Sequence, residues 1–201
     1  MSRKNQTSEL KSRVMEVALG HFSEVGIERT NVSDILADAG CSVGSLYHHF
    51  GNKEGIAEAV FVDGVNQFNS RLLAALLPRR TASTGIKASV TFCCEWVTDQ
   101  SELASFLLSR EVRFSDSAKL ELRAMDRAFG QSIYDWFVPH VKSGALLELP
   151  KGMYVPLICG PTLEYSRLWL SGRNSRSPGD VASILAEAAW QSVKSDGEAK
   201  P

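Results

Sequence analysis

The segment AGCSVGSLYHHFGNKE, residues 39–54, decides how the first part of this chain folds. It lies between two stretches in which apolar residues recur with helical spacing. A glycine turn opens it, and serine, tyrosine, histidine and lysine side chains follow at close intervals. A helix that only filled a core would not need so many hydrogen-bonding groups side by side. The segment therefore predicts a short helix that presents polar groups to a partner.

The neighbouring sequence predicts two more helices. Apolar residues between positions 9 and 25 fall on one helical face. A second helix begins at Asn31, which is suited to capping the free amides of its first turn, and stops at Gly40. Ser42 is the next N-cap, for a third helix that Gly51 ends. Two short helices joined by a turn of three or four residues that contains glycine have the spacing of a helix-turn-helix.

In a helix-turn-helix, the second helix presents its N-terminal residues to the major groove of DNA. The residues at those positions are Ser42, Val43, Gly44 and Ser45. Gly44 removes a side chain where the backbone must come close to DNA, and the helix N-terminus offers free amides to a phosphate.

The rest of the third helix divides into two faces. Tyr47 and His48 supply hydroxyl and imidazole donors at the height of the phosphates, and Lys53, in the first turn of the fourth helix, adds a cation. Leu46 and Phe50 are four residues apart, so we expect both to face inward and to hold the helix in its core.

At these residues the chain closely resembles the TetR family of bacterial transcriptional repressors. The resemblance is carried by GIERTNVSDILADAG (residues 26–40) and CSVGSLYHHFGNKEGI (residues 41–56), and in detail it covers residues 8–60. The family has a glycine after its first helix, a threonine-rich cap, a recognition helix with the pattern Ser-x-Gly-x-Leu-Tyr-x-His-Phe, and then a Lys-Glu pair.

The resemblance implies a three-helix DNA-binding head, a larger helical body, and a dimer formed as a four-helix bundle by the last two helices. By position, it implies phosphate contacts from Thr30, Asn31, Ser42, Ser45, Tyr47, His48 and Lys53. It places Val43, Gly44 and Tyr47 nearest the base edges.

Two features depart from the family. Val43 stands where lysine is frequent, and a valine contacts a thymine methyl group but does not donate to guanine. Residues 1–55 carry six Lys and Arg against seven Asp and Glu, so non-specific DNA affinity should be modest. The expected basic segment beside the recognition helix consists of Arg3, Lys4, Lys11 and Arg13.

The remaining sequence predicts an all-α fold, with a helix-turn-helix domain at 1–55 and an effector-binding and dimerisation domain at 56–201. A loop is expected at 79–85, followed by a helix from Ile86, and a long helix at about 119–142. A kink or restart is expected near Pro156 and Pro161.

The family's ligand site falls among the helices that correspond to about 84–142. The residues that we expect to line it are Cys93, Trp96, Tyr134 and His140. Apolar side chains on the last two helices are expected to form the dimer interface, and they are Leu163, Leu168, Trp169, Ile184, Leu185 and Ala188. The competing interpretation of both sets is that they complete a monomeric core.

Composition limits the other classes of protein. The chain has 201 residues, a formal net charge of −1 and 44% hydrophobic residues, which is ordinary for a globular protein. No apolar run approaches the roughly 20 residues of a membrane span, and no signal peptide is recognisable, so we expect a cytoplasmic protein with no membrane partner. The four cysteines lack paired spacing, and we expect no metal, cofactor or disulfide.

The sequence thus predicts a ligand-responsive regulator, a repressor that binds a palindromic operator as a homodimer and is released by an unknown small-molecule effector. The first alternative is a degenerate helix-turn-helix protein that acts through protein partners. An enzyme is the remaining alternative, although the chain has neither a nucleophile motif nor a phosphate-binding glycine loop.

Overall fold

The structure, a computed structural model, describes residues 3–150 and 152–195, without the side chains of residues 3–6. Within these ranges the chain forms nine α-helices, one short 3-10 helix and no β-strand, which confirms the all-α prediction. No described helix combines the length and the apolar character of a membrane span. The helices are α1 (Arg3–Val25), α2 (Val32–Ala39), α3 (Val43–Phe50), α4 (Lys53–Leu76), α5 (Ala82–Asp99), α6 (Ser101–Leu108), α7 (Asp116–Lys142), α8 (Tyr154–Leu170) and α9 (Ala182–Val193), with the 3-10 helix at Gly179–Val181.

The chain divides into two compact units. Unit 1 comprises Met1–Asn66 and Glu102–Ala124, and unit 2 comprises Gln67–Ser101 and Met125–Pro201. These units differ in extent from the predicted domains 1–55 and 56–201, whose boundary stays a prediction.

The core of unit 1 forms where α1, α2, α3, α4 and α6 bury their apolar faces. Phe22 of α1 stacks on Phe106 of α6 with ring centroids 5.9 Å apart. Other buried side chains of this core are Val14, Ala18, Ile35, Ala39, Leu46, Ile56, Val60 and Leu103. The apolar periodicity of the sequence thus identified the buried face of α1, and in α3 it identified Leu46.

The caps of the short helices follow the sequence, with one exception. The Ser45 amide donates to Ser42 Oγ at 3.2 Å, as predicted for an N-cap. Gly40 ends α2 in the left-handed conformation, at φ 59°, where glycine is favoured. The prediction that Asn31 caps α2 is wrong, because its side-chain amide turns to the Asp34 carboxylate at 3.2 Å and makes no capping bond.

Three predicted boundaries change. α1 begins at Arg3, well before the first apolar residue of its periodic pattern. α5 begins at Ala82, inside the segment predicted as a loop, because Thr81 Oγ1 accepts the Thr84 amide at 3.3 Å and caps the helix. α8 runs through Pro161 as one continuous helix, so the expected restart does not occur within Tyr154–Leu170.

The core of unit 2 lies among α5, α8 and α9. Gly85 of α5 is required there, since a Cβ at this position would lie 2.1 Å from a ring carbon of Trp136. The Trp136 indole N–H donates to the Arg79 carbonyl at 3.1 Å, which fixes the ring. The buried members of the core include Ile86, Val90, Cys94, Ile158, Ala182, Ala186, Ala189 and Val193.

Candidate functional site

The recognition helix α3 has one buried side and one exposed side. Leu46 is 1% exposed, whereas Val43 is 58% and Tyr47 51% exposed. His48 is exposed as well. Phe50 is only half-buried, so Leu46 carries more of the anchoring than the sequence predicted. The exposed side therefore combines an isopropyl group, a phenol and an imidazole on adjacent turns.

The N-terminus of α3 is open. A Cβ placed on Gly44 would meet no described atom within 4 Å outside its own stretch of helix. Nothing in the described part of the chain therefore requires glycine here. Because a residue without a side chain lets a partner approach the backbone closely, this glycine suits the approach of a DNA strand. Ser42 and its neighbour Ser45 are joined by the capping bond.

Thr30 does not have the role that the sequence predicted. Its side chain is 4% exposed, and its hydroxyl donates to the Gly26 carbonyl at 2.9 Å and to the His21 carbonyl at 3.3 Å. These bonds hold the turn between α1 and α2. A buried hydroxyl that is already bonded has no free direction toward a phosphate, so the predicted contact from the Thr30 side chain is corrected to a positioning role.

Lys53 also turns inward. Its ammonium donates to the main-chain carbonyls of Glu28, at 2.8 Å, and Thr30, at 2.9 Å. These bonds tie the start of α4 to the turn before α2. The prediction of a mobile cation at this position is therefore corrected, although an ammonium has three donors and the two bonds use only two of them. Asn31, the next residue along the turn, is exposed and bonded to Asp34.

His49 of α3 belongs to the same surface, although sequence reasoning did not select it, and Lys11 of the predicted basic segment lies close enough to affect its charge. The ring of His49 lies 4.9 Å from that of His48. Burial, followed by the charges of Lys11 and His48, lowers the pKa of His49 from its usual value of 6.5. The imidazole is therefore neutral at neutral pH. Lys11 and Arg13 are exposed on α1, and the side chains of Arg3 and Lys4 lie outside the described residues.

The joint between α3 and α4 depends on Gly55, which sequence reasoning missed. A Cβ on Gly55 would lie 1.9 Å from the carbonyl oxygen of Phe50. The Gly55 amide donates to Asn52 Oδ1 at 2.7 Å, so Asn52 caps α4. The backbone of Gly55 therefore packs directly against the backbone of Phe50. The absence of a side chain at Gly55 allows the recognition helix to lie this close to α4. The only sequence signal is a glycine directly after a capped first turn.

The predicted ligand-lining residues lie on two helices of unit 2. Trp96 is buried on α5, with its ring 4.9 Å from that of Phe68, and Cys93 is half-buried one turn away. His140 lies on α7, 4.4 Å from the Trp136 ring. Tyr134 is 63% exposed, so we withdraw it as a lining residue. The helical period placed Tyr134 on α7 but did not give its direction.

The thiols of unit 2 are neutral. Burial, more than the neighbouring thiols, raises the pKa of Cys93, and burial also raises the pKa of Cys159. Burial and the charge of Glu95 raise the pKa of Cys94 to about 11. These cysteines therefore add apolar, uncharged surface to the interior of unit 2.

The predicted dimer residues are partly exposed on α8 and α9. Ile184 is 67% exposed, and Leu163 and Ala188 are exposed too. Leu168, Trp169 and Leu185 are half-buried. Val155 adds a further exposed apolar side chain on α8 that the sequence analysis did not select. Large apolar side chains that face solvent on neighbouring elements are typical of an interaction surface.

Comparison with known proteins identifies the first unit's motif. Residues 14–60 match the family described as bacterial regulatory proteins, tetR family. The HTH-type transcriptional repressor KstR2 of Mycolicibacterium smegmatis is 37% identical over 59 residues, which are 29% of this chain and 29% of that protein. The match thus spans less than a third of the length of this curated relative.

The fold is similar over a longer stretch to solved structures. A bacterial regulatory protein in the tetR family from Rhodococcus RHA1 has a TM-score of 0.78 at 19% identity, over 97% of this chain and 99% of that one. The transcriptional regulator FadR from Bacillus subtilis, solved in complex with stearoyl-CoA, has a TM-score of 0.75 at 20% identity, over 90% and 98%. The motif and the family match agree that residues 14–60 form a domain of the tetR family of bacterial regulatory proteins, and the solved structures show that the chain has the fold of proteins in that family.

Proposed function

We propose that this protein is a transcriptional repressor that binds a palindromic operator as a homodimer and leaves it when a small molecule occupies the helical body. The observation that carries the proposal is the exposed N-terminal half of α3, where Val43 and Tyr47 face solvent while Leu46 is buried. A helix held on one side and open on the other has the form that enters a major groove.

The geometry revises the set of DNA contacts. Val43, Gly44 and Tyr47 lie toward the base edges. The phosphate contacts come from exposed or half-buried polar groups, which are Asn31, Ser42, Ser45, Tyr47 and His48. Thr30 and Lys53 act behind them by holding the turn from which α2 starts. The free amides at the start of α3 add positive potential toward a phosphate.

The homodimer is proposed from α8 and α9. Ile184, Leu163 and Ala188 are exposed there, so a second copy of this surface would remove apolar area from water. A two-fold operator also requires a two-fold protein. Ile184→Glu tests this interface, since burying an unpaired carboxylate is costly. We expect sedimentation to show a dimer for the natural chain and a monomer for this variant.

An apolar small molecule is the proposed effector. On α5, Trp96 and Phe92 both lie against Phe68, with ring centroids 4.9 Å and 5.7 Å from it, and Cys93 adds an uncharged thiol. A mostly apolar wall with few polar groups is usual for small-molecule sites. The acyl chain of the stearoyl-CoA bound to the FadR structure supports an effector with an apolar part for this chain as well.

The DNA-binding proposal is tested by selection from random duplexes. The expected product is an inverted repeat whose half-sites are about one helical turn apart, about 34–36 Å. Its binding should weaken steeply with salt. Failure to select any duplex would favour the alternative in which the helix-turn-helix binds a protein partner, an alternative that the exposed apolar side chains of Val43 and Tyr47 also suit.

A further inference from the structure

The recognition helix carries an unusual set of side chains for reading bases. Its sequence, VGSLYHHF, contains no Arg, Lys, Asn or Gln. These four residues make the bidentate hydrogen bonds that distinguish guanine and adenine in the major groove. The exposed large hydrophobic side chains of α3 are instead Val43 and Tyr47, which are one turn apart on the same side of the helix.

The neighbouring amides and cations do not replace the missing groups. Asn52 Oδ1 accepts the Gly55 amide at 2.7 Å, so it is not free to accept from an adenine while its NH₂ group donates. The Lys53 ammonium donates two of its three hydrogen bonds to main-chain carbonyls. Asn31 Nδ2 donates to Asp34. Each of these residues is thus engaged within unit 1.

The start of α3 favours close apolar contact. Ser42 Oγ already accepts the Ser45 amide, and Gly44 leaves open space beside Val43. A backbone without a side chain at position 44 allows the helix to lie deep in a groove, where the Val43 methyl groups come within contact distance of the base edges. The one apolar group that bases present in the major groove is the 5-methyl of thymine.

We propose, resting on the DNA-binding function above, that this helix reads thymine methyl groups through an apolar pair formed by Val43 and the Tyr47 ring. Specificity in each half-site then comes chiefly from one or two T·A pairs. Hydrogen bonds from Ser45, Tyr47 and His48 fix the register of the helix on the backbone.

The test uses the selected operator and the full-length protein. Each thymine is replaced by deoxyuridine in symmetric pairs, which deletes only the methyl group, and affinity is measured by fluorescence anisotropy at fixed salt. Burial of one methyl-sized apolar group multiplies an equilibrium constant about fourfold. We therefore expect one symmetric pair to weaken binding about fifteenfold, with the other thymines within about twofold.

The same titrations with Val43→Ala complete a double-mutant cycle. The variant should bind the thymine and deoxyuridine operators nearly equally, because its contact with the methyl group is gone. Val25→Ala is the matched control, since Val25 is also an exposed valine of unit 1 but lies at the end of α1. This control should keep the full thymine preference.

The outcomes separate the inference from the proposed function. A thymine preference that disappears in Val43→Ala supports the inference. Tight binding of the selected operator with no sensitive thymine, or with a preference that persists in both Val43→Ala and Tyr47→Ala, overturns it and leaves DNA binding intact. If no duplex is selected at all, the proposed function fails and the inference fails with it.

Discussion

The ammonium group of Lys53 donates a 2.9 Å hydrogen bond to the main-chain carbonyl of Thr30. The two residues are 23 positions apart, and the bond connects the first turn of α4 with the turn before α2. Thr30 in turn bonds the Gly26 carbonyl. The base of the helix-turn-helix is therefore held by a chain of hydrogen bonds through residues that the family resemblance assigned to DNA.

Lys53→Met keeps the aliphatic stem and removes the donors. We expect it to lower the free energy of unfolding by about 1–3 kcal/mol, because two carbonyls lose a charged partner. DNA affinity should fall as well, yet the slope of log affinity against log salt should stay unchanged. A decrease of about 1.8 in that slope, about 0.9 for each half-site, would show that Lys53 neutralises a phosphate instead.

Lys11→Met is the matched control for Lys53. Lys11 is exposed on α1 beside His49, so its loss should leave the unfolding free energy unchanged. If Lys11 faces the DNA backbone, its removal from both subunits should lower the salt slope by about 1.8. Denaturant unfolding and anisotropy titrations at several salt concentrations measure both quantities for the pair.

Two glycines of the head should respond oppositely to the same change. Gly44→Ala should raise the free energy of unfolding by about 0.5–1 kcal/mol, since alanine is the better helix former and its Cβ meets open space. It should nevertheless weaken DNA binding, because the new methyl group faces the duplex.

Gly55→Ala should lower the free energy of unfolding, in contrast to Gly44→Ala. Its Cβ would lie 1.9 Å from the Phe50 carbonyl oxygen, so α3 and α4 must shift apart. We expect a loss of about 1–3 kcal/mol in unfolding free energy, as for other overpacked sites. Thermal melts and anisotropy of the two variants together check the pair. A Gly44→Ala protein that binds DNA as tightly as the natural chain would contradict close approach at this position.

Unit 2 offers a second pair of glycines. Gly85→Ala would place a Cβ 2.1 Å from the Trp136 ring, and we expect it to cost about 1–3 kcal/mol and to change the tryptophan fluorescence. Gly130→Ala, on an exposed part of α7 with open space at its Cβ, should stabilise by about 0.5–1 kcal/mol. Equal melting temperatures for the two variants would contradict the packing of Trp136 against α5.

Acid should weaken the contact between α5 and α9. A hydrogen bond from Gln191, at 2.6 Å, and the ammonium of Lys87, at 2.5 Å, lower the pKa of Glu187 below its usual value of 4.5. Because the folded-state pKa is the lower one, this stabilisation is complete above pH 4.5 and is lost as pH falls through the folded-state value.

Glu187→Gln should therefore flatten the decline of melting temperature on the acid side of pH 4.5. Lys87→Met, which removes one of the two partners, should flatten it less. Melting curves recorded across this range for the natural chain and both variants test the assignment. A decline that is equally steep in Glu187→Gln would show that other carboxylates govern acid stability.

The sequence predicted those parts of the site that depend on local chemistry. Ser42 has the right residue type at the start of an apolar repeat, and Gly40 follows the last residue of one, so both helix ends could be placed. Leu46 could be assigned to the core by periodicity alone. These signals arise within a few residues, and tertiary contacts rarely override them when several agree.

The rest depends on partners that are distant in sequence. Nothing near Lys53 indicates that its ammonium bonds carbonyls more than 20 positions away. Nothing near Gly85 in the sequence indicates that a glycine is required there either. The reason is the Trp136 ring on another helix, which leaves no room for a Cβ. Tyr134 illustrates a further limit, because a helix with apolar residues on several faces does not reveal which of them faces solvent.

The most direct test of a DNA-reading α3 is the affinity of Tyr47→Ala/His48→Ala for the selected operator at fixed salt. Both side chains are exposed, so the double variant should fold and melt like the natural chain. We expect a loss of at least about a hundredfold, because hydrogen bonds to charged groups disappear from both half-sites. A folded double variant whose affinity stays within about twofold of the natural protein would show that α3 does not read DNA through these side chains.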